Sequence, residues 1–213
     1  MRNRNSSKNY ALGVGHSGFT LVELLIVIVV IGVLSAMMML SSTEAVSSAK
    51  AAKVISNLRN LKTATLAWYT DNVDSVVVGT TGNLKGKKGM IKDENGTIME
   101  IKNFVEKYPS AINKYIGDDG VLLNTGRKTD KDGNKDQNDV GSLVAEGGYS
   151  IFGGNYGQDW YSVYSIGKDK SLKDKLHGRA SSTGLLSYKT GGQTSTYNGT
   201  DDAVYMLIAK FSE

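Results

Sequence analysis

From Leu24 to Thr43 no position carries a charge, and Leu24-Leu25-Ile26-Val27-Ile28-Val29-Val30-Ile31 is apolar without a break. A helix without a polar side must lie in lipid or inside a large core. Twenty residues rising about 1.5 Å each span about 30 Å, the thickness of a bilayer's hydrocarbon layer. The pattern therefore predicts a membrane-spanning helix, in which Gly32 is tolerable. After Thr43 the pattern becomes one-sided without a helix breaker. Ala45, Ala49, Val54, Leu58, Leu61, Thr65 and Trp68 recur at steps of three to five, with Glu44, Lys50, Lys53, Arg59 and Lys62 on other positions. The helix is expected to continue as an amphipathic one to about Tyr69 and to stop at Asp71-Asn72.

Farther along, the apolar positions lose helical spacing. Residues 74–100 read as an irregular connection containing one short strand, Val76-Val77-Val78. Ile98 to Tyr108 has helical spacing through Ile101 and Val105, Pro109 interrupts it, and Ala111 to Ile116 reads as another turn or two. In the carboxyl-terminal half, Trp160 to Gly167 alternates apolar with polar side chains, Leu185 to Tyr188 is a second strand signal, and Ala203 to Phe211 reads as a buried strand. Asn198-Gly199 and Asp201-Asp202 stand where a hairpin turn would fall. The expected fold class is α+β, with a long amino-terminal helix packed on a small antiparallel sheet.

Composition adds exclusions. The 213 residues include no cysteine, which rules out disulfides, thiolate zinc sites and a cysteine nucleophile. The two histidines, His16 and His177, lack the paired spacing of a zinc site, and His177 has no nucleophile motif nearby. The formal charge is +4, from 25 basic and 21 acidic groups. Arg2, Arg4 and Lys8 lie in an acid-free stretch of eighteen residues, which leaves 22 basic groups against 21 acids in the remainder. That near-neutral remainder argues against a nucleic-acid partner. Lys85, Lys87 and Lys88 form the only dense basic cluster and lack adjacent aromatics. The Gly82–Lys88 stretch fails as a phosphate loop on spacing and on the missing hydroxyl residue. Asn95-Gly96-Thr97 and Asn198-Gly199-Thr200 match glycosylation acceptors but read better as turns.

The charges also orient the span. Arg2, Arg4 and Lys8 hold the amino terminus on the cytoplasmic side by the positive-inside rule, placing the rest outside. A secretory signal would end at a small-residue site, but Met37-Met38-Met39-Leu40 extends the apolar run past Ser35-Ala36, so an anchor is the preferred reading. Glu23 does not fit a plain anchor, because a carboxylate inside an apolar span is costly and calls for a partner. Gly18-Phe19-Thr20-Leu21-Val22-Glu23-Leu24-Leu25-Ile26-Val27-Ile28 resembles the processing and assembly segment of type IV pilins and of the pseudopilins of type II secretion systems.

The resemblance implies a pilin-like fold and a division into a leader at 1–18, a membrane and assembly half-helix at 19–43, an amphipathic half-helix at 44–70 and a globular α+β head at 71–213. It implies that a prepilin peptidase cuts after Gly18 and methylates the new terminal Phe19. Glu23, the fifth mature residue, would then meet the Phe19 ammonium of a neighbouring copy in a filament. Within one chain the Phe19 ammonium and Glu23, four residues apart, would lie on one side of the first helical turn, and between copies each charge would be tolerated because the other is present. The resemblance also implies an inner-membrane assembly platform as partner, and a single-pass inner-membrane precursor that ends in a periplasmic or cell-surface filament. Leu40 departs from the proline that many pilins carry there, so a straighter helix is expected.

The expected role is non-enzymatic: a structural subunit of a type IV pilus or related filament, with a type II secretion pseudopilin and a minor pilin for adhesion or DNA uptake as the alternatives. The stretch from Trp160 to Asp169 is similar to a pseudopilin strand ending in serine, glycine and acid. Asp130, Asp132, Asn134, Asp136 and Asp139 form a candidate calcium loop, since alternating oxygen donors around Gly133 suit that ion. The register is not that of a helix-loop-helix calcium hand, and the competing reading is a solvated loop interleaved with Lys131 and Lys135.

Overall fold

The computed structural model describes residues 18–116, 144–154, 157–189 and 192–211, with only the backbone at 40–42. Helix α1 runs Leu21–Asp71, and packing divides the chain within it into two units, Met1–Thr43 and Glu44–Glu213. In the first unit the large apolar side chains are exposed, from Phe19 at 83% to Met39 at 78%. None of the described residues of this unit shields them, as expected of a helix whose solvent is lipid. It is long and apolar enough to cross a membrane.

The second unit is the α+β head. Its part of α1 buries Ala51, Val54, Ile55, Leu58, Leu61, Ala64, Thr65 and Trp68, a stripe with helical spacing. Ala45 and Ala49, expected on that stripe, are exposed. Ala49 precedes Leu58 by nine residues, two and a half turns, and so faces the opposite way. Thr65 is tolerated because its hydroxyl donates to the Leu61 carbonyl at 2.7 Å. The helix stops where expected: the Asn72 side-chain amide donates to the Trp68 carbonyl at 2.8 Å, satisfying a group in the last turn.

Five strands form the main sheet: β4 (Tyr149–Gly154), β5 (Asp159–Ser165), β6 (Leu185–Lys189), β7 (Gln193–Thr196) and β8 (Ala203–Lys210), in the order β4-β5-β8-β6-β7 and antiparallel throughout. One face packs on α1. Val204 and Met206 join Val54 and Leu58, while Ile151, Trp160 and Ile208 join Leu61 and Trp68. The Ser162 hydroxyl donates to the Leu58 carbonyl at 3.1 Å, and the Asn57 side-chain amide to the Tyr149 hydroxyl at 3.0 Å, tying helix to sheet. The other face carries Phe152, Tyr161, Val163 and Tyr205, with Tyr188 against them.

The three strands expected in the carboxyl-terminal half correspond to β5, β6 and β8. The expected hairpin around Asn198-Gly199 is corrected: β7 pairs with β6, and β8 lies on the other side of β6, so the connection crosses rather than folds back. Between β5 and β6 lie α4 (Lys170–His177) and α5 (Ala180–Thr183). Asp169 caps α4 by accepting from the Leu172 amide at 3.0 Å.

Residues 74–100 are more ordered than expected. β1 (Val76–Val77), β2 (Met90–Lys92) and β3 (Ile98–Met99) form a second, three-stranded antiparallel sheet. Ile98 is therefore in a strand rather than at a helix start, and α2 begins later, spanning Ile101–Lys107, followed by α3 at Pro109–Asn113. The turn between β2 and β3 decides this. Asp93 accepts from the Asn95 and Thr97 amides at 3.1 and 2.8 Å, and Gly96 takes φ +82°, which glycine adopts without strain.

Candidate processing and assembly site

Gly18 and Phe19 precede α1, and Thr20 stands directly before its first residue, Leu21. The sequence Thr20-Leu21-Val22-Glu23 makes a reciprocal cap. The Glu23 amide donates to the Thr20 hydroxyl oxygen at 3.2 Å, and Glu23 Oε2 accepts from the Thr20 amide and hydroxyl, each at 2.9 Å. An acid in the first turn also faces the positive end of the helix dipole.

Glu23 is thus anchored by its own helix terminus before any neighbour is present. Its second oxygen, Oε1, has no donor among the described residues. Phe19 lies ahead of the cap rather than inside the first turn, which begins at Leu21. Thr20 is the participant that the reading of the residues missed. Its signal was a threonine three residues before an acid at the head of an apolar run.

Gly18 is open on all sides, since a methyl group placed on it meets nothing within 4 Å. Nor does its backbone have the positive φ that favours glycine. Among the described residues, nothing packs closely enough to require glycine there. Gly32, inside the helix, is equally open.

The other candidates separate clearly. Asp130, Asp132, Asn134, Asp136 and Asp139 lie outside the described residues, and among the described residues no group of three or more His, Asp or Glu could hold a metal. His177 Nδ1 is 2.9 Å from the Tyr197 carbonyl, at the end of α4, a packing contact rather than a catalytic one. Asn198 forms a tight turn in which Oδ1 accepts from the Thr200 amide and hydroxyl at 2.9 and 2.8 Å. Lys87, from the basic cluster, pairs with Glu100 at 3.6 Å.

In the head, Asp93 has a side chain only 1% exposed. The Lys107 ammonium, 2.9 Å away, is the main influence holding its carboxyl down to about 2, against the opposing effect of burial; the Thr97 amide and the Tyr108 hydroxyl add to the lowering. This group is a structural pin between the β2–β3 turn and α2.

No curated protein and no solved structure matches the chain. One family model does, over residues 15–39, and its span covers the open glycine, the capped acid and the exposed apolar run. The chain thus carries the prokaryotic N-terminal methylation motif, the signature of type IV pilins and pseudopilins.

Proposed function

We propose that this chain is a prepilin that is trimmed after Gly18, methylated on the Phe19 amine and polymerised through α1 as the structural subunit of a type IV pilus or related filament. The observation that carries the reading is the start of α1: an unpacked glycine, then an acid held by its own cap, then an apolar helix unshielded within its unit. The open backbone at Gly18 leaves the following peptide bond accessible to a processing enzyme. After cleavage the new ammonium and the free Oε1 of a neighbour's Glu23 are complementary, and burying either alone among packed helices is costly. The leader's three basic residues hold the amino terminus in the cytoplasm, so the head faces outward.

Abundance in sheared surface fibres separates the machines this subunit would serve. As a pilus subunit the chain is expected to dominate that fraction. Its near-absence there, with the protein retained in the envelope, would move it to the secretion pseudopilins.

A further inference from the structure

A cavity of about 670 Å³ opens in the head where the end of α1 meets the β2–β3 turn, α2 and α3. Its volume lies in the range of small-molecule sites, which combine an apolar floor with a few convergent polar groups. The floor is formed by Tyr108, Ala111 and the edges of the buried Phe104 and Trp68. The rim carries two carboxylates, Asp74 and Glu94, and two ammonium groups, Lys92 and Lys114. All four are exposed, and among the described residues none of them is in an ion pair. Ser75 and Ser110 add hydroxyls. Asp93, which also lines the cavity, is already saturated by Lys107, Tyr108 and two backbone amides.

This lining selects a chemistry. Two acids balanced by two lysines repel neither sign and favour no polyanion. The described carboxylates do not gather into a metal-binding group. A purely apolar ligand would use the floor alone and make no use of the four rim charges. What fits is a neutral ligand rich in paired hydroxyls with one apolar face: vicinal hydroxyls donate to carboxylates and accept from ammonium groups, and ring C–H groups cover the floor. We propose that this cavity is a saccharide-binding site, with Asp74 and Glu94 as hydroxyl acceptors and Lys92 and Lys114 as donors.

The proposal goes beyond the filament reading and does not depend on it. The full chain, held in a detergent without a sugar headgroup, would be titrated with maltotriose, the N-acetylglucosamine trimer and lactose. Tryptophan fluorescence gives the readout because Trp68 lines the cavity, and trialanine serves as a peptide control. A saturable change with at least one saccharide is expected, weakened tenfold or more in Asp74→Asn with Glu94→Gln. Both positions are exposed, so the variant's melting temperature should match the parent's and confirm folding. The proposal is overturned if no saccharide saturates, if binding survives the double variant, or if trialanine binds as well. None of those results alters the expected mass of the processed amino terminus.

Discussion

The observed cap at Glu23 and its proposed role in assembly can be separated by different substitutions. Its Oε2 caps α1 by accepting from Thr20, while the charge is what a neighbour's ammonium would read. Glu23→Gln retains a carbonyl oxygen for the cap and loses the charge. It is expected to insert into the membrane and be cleaved normally but to give few or no filaments, as measured by shearing and immunoblot. Thr20→Val removes the hydroxyl and leaves the charge, so filament yield should fall less than in Glu23→Gln. A yield that falls further in Thr20→Val than in Glu23→Gln would mean that the cap, not the charge, is the requirement.

A second residue-scale test concerns Asp93. Its folded-state pKa of about 2 lies below the usual 3.8, so the ionised form stabilises the fold. That contribution is complete above about pH 4 and is lost as pH falls toward 2. Thermal unfolding of the full chain should show this acid-induced loss in the parent. Asp93→Asn, which cannot ionise, should be less stable at neutral pH and show a shallower decline between pH 4 and 2.

At the scale of elements, the head half of α1 holds the core together. Leu58 is fully buried between Val54, Val204 and Met206. Leu58→Ala is expected to destabilise the head by about 2–5 kcal/mol, whereas Ala49→Ser, on the exposed side of the same helix, should stay within about 0.5 kcal/mol. Denaturant unfolding followed by tryptophan fluorescence measures both. Tyr149 offers an alkaline counterpart, since burial pushes its hydroxyl up to about 12 despite the opposing Asn57 hydrogen bond. Its neutral form supports the fold below about pH 10, and that support is lost as pH rises through 12, so alkaline difference spectra should show it ionising later than exposed tyrosines.

These elements were unevenly legible in the sequence. The uncharged run from Leu24 and the alternation from Trp160 carry their own periodicity, and both elements formed where the pattern placed them. Ala45 and Ala49 misled because alanine is small enough for either side of a helix. Ile98 was drawn toward α2 by its spacing to Ile101, while the Asp93 turn that makes it a strand acts through backbone amides, which composition does not display. The crossing from β7 to β8 was hidden for a similar reason: Asn198-Gly199 announces a turn, but only the partner of each strand says where the turn leads. The Thr20 cap was readable in principle, since its spacing is local.

For the whole molecule, charge and apolar surface are divided along the chain. The first unit exposes the large apolar side chains of a helix that is uncharged from Leu24 to Thr43, after a basic, acid-free stretch of eighteen residues, and the head carries a nearly balanced set of charges. If Arg2, Arg4 and Lys8 fix the orientation, as proposed, replacing them with Asn should reduce correct insertion, as seen by protease accessibility of the head in spheroplasts. The proposed filament role depends on the bond between Gly18 and Phe19 being cut. The most direct measurement is intact-mass and peptide mass spectrometry of the protein purified from its native membrane or filament. A chain beginning at an N-methylated Phe19 is the expected result, and assembled protein that still begins at Met1 would contradict it.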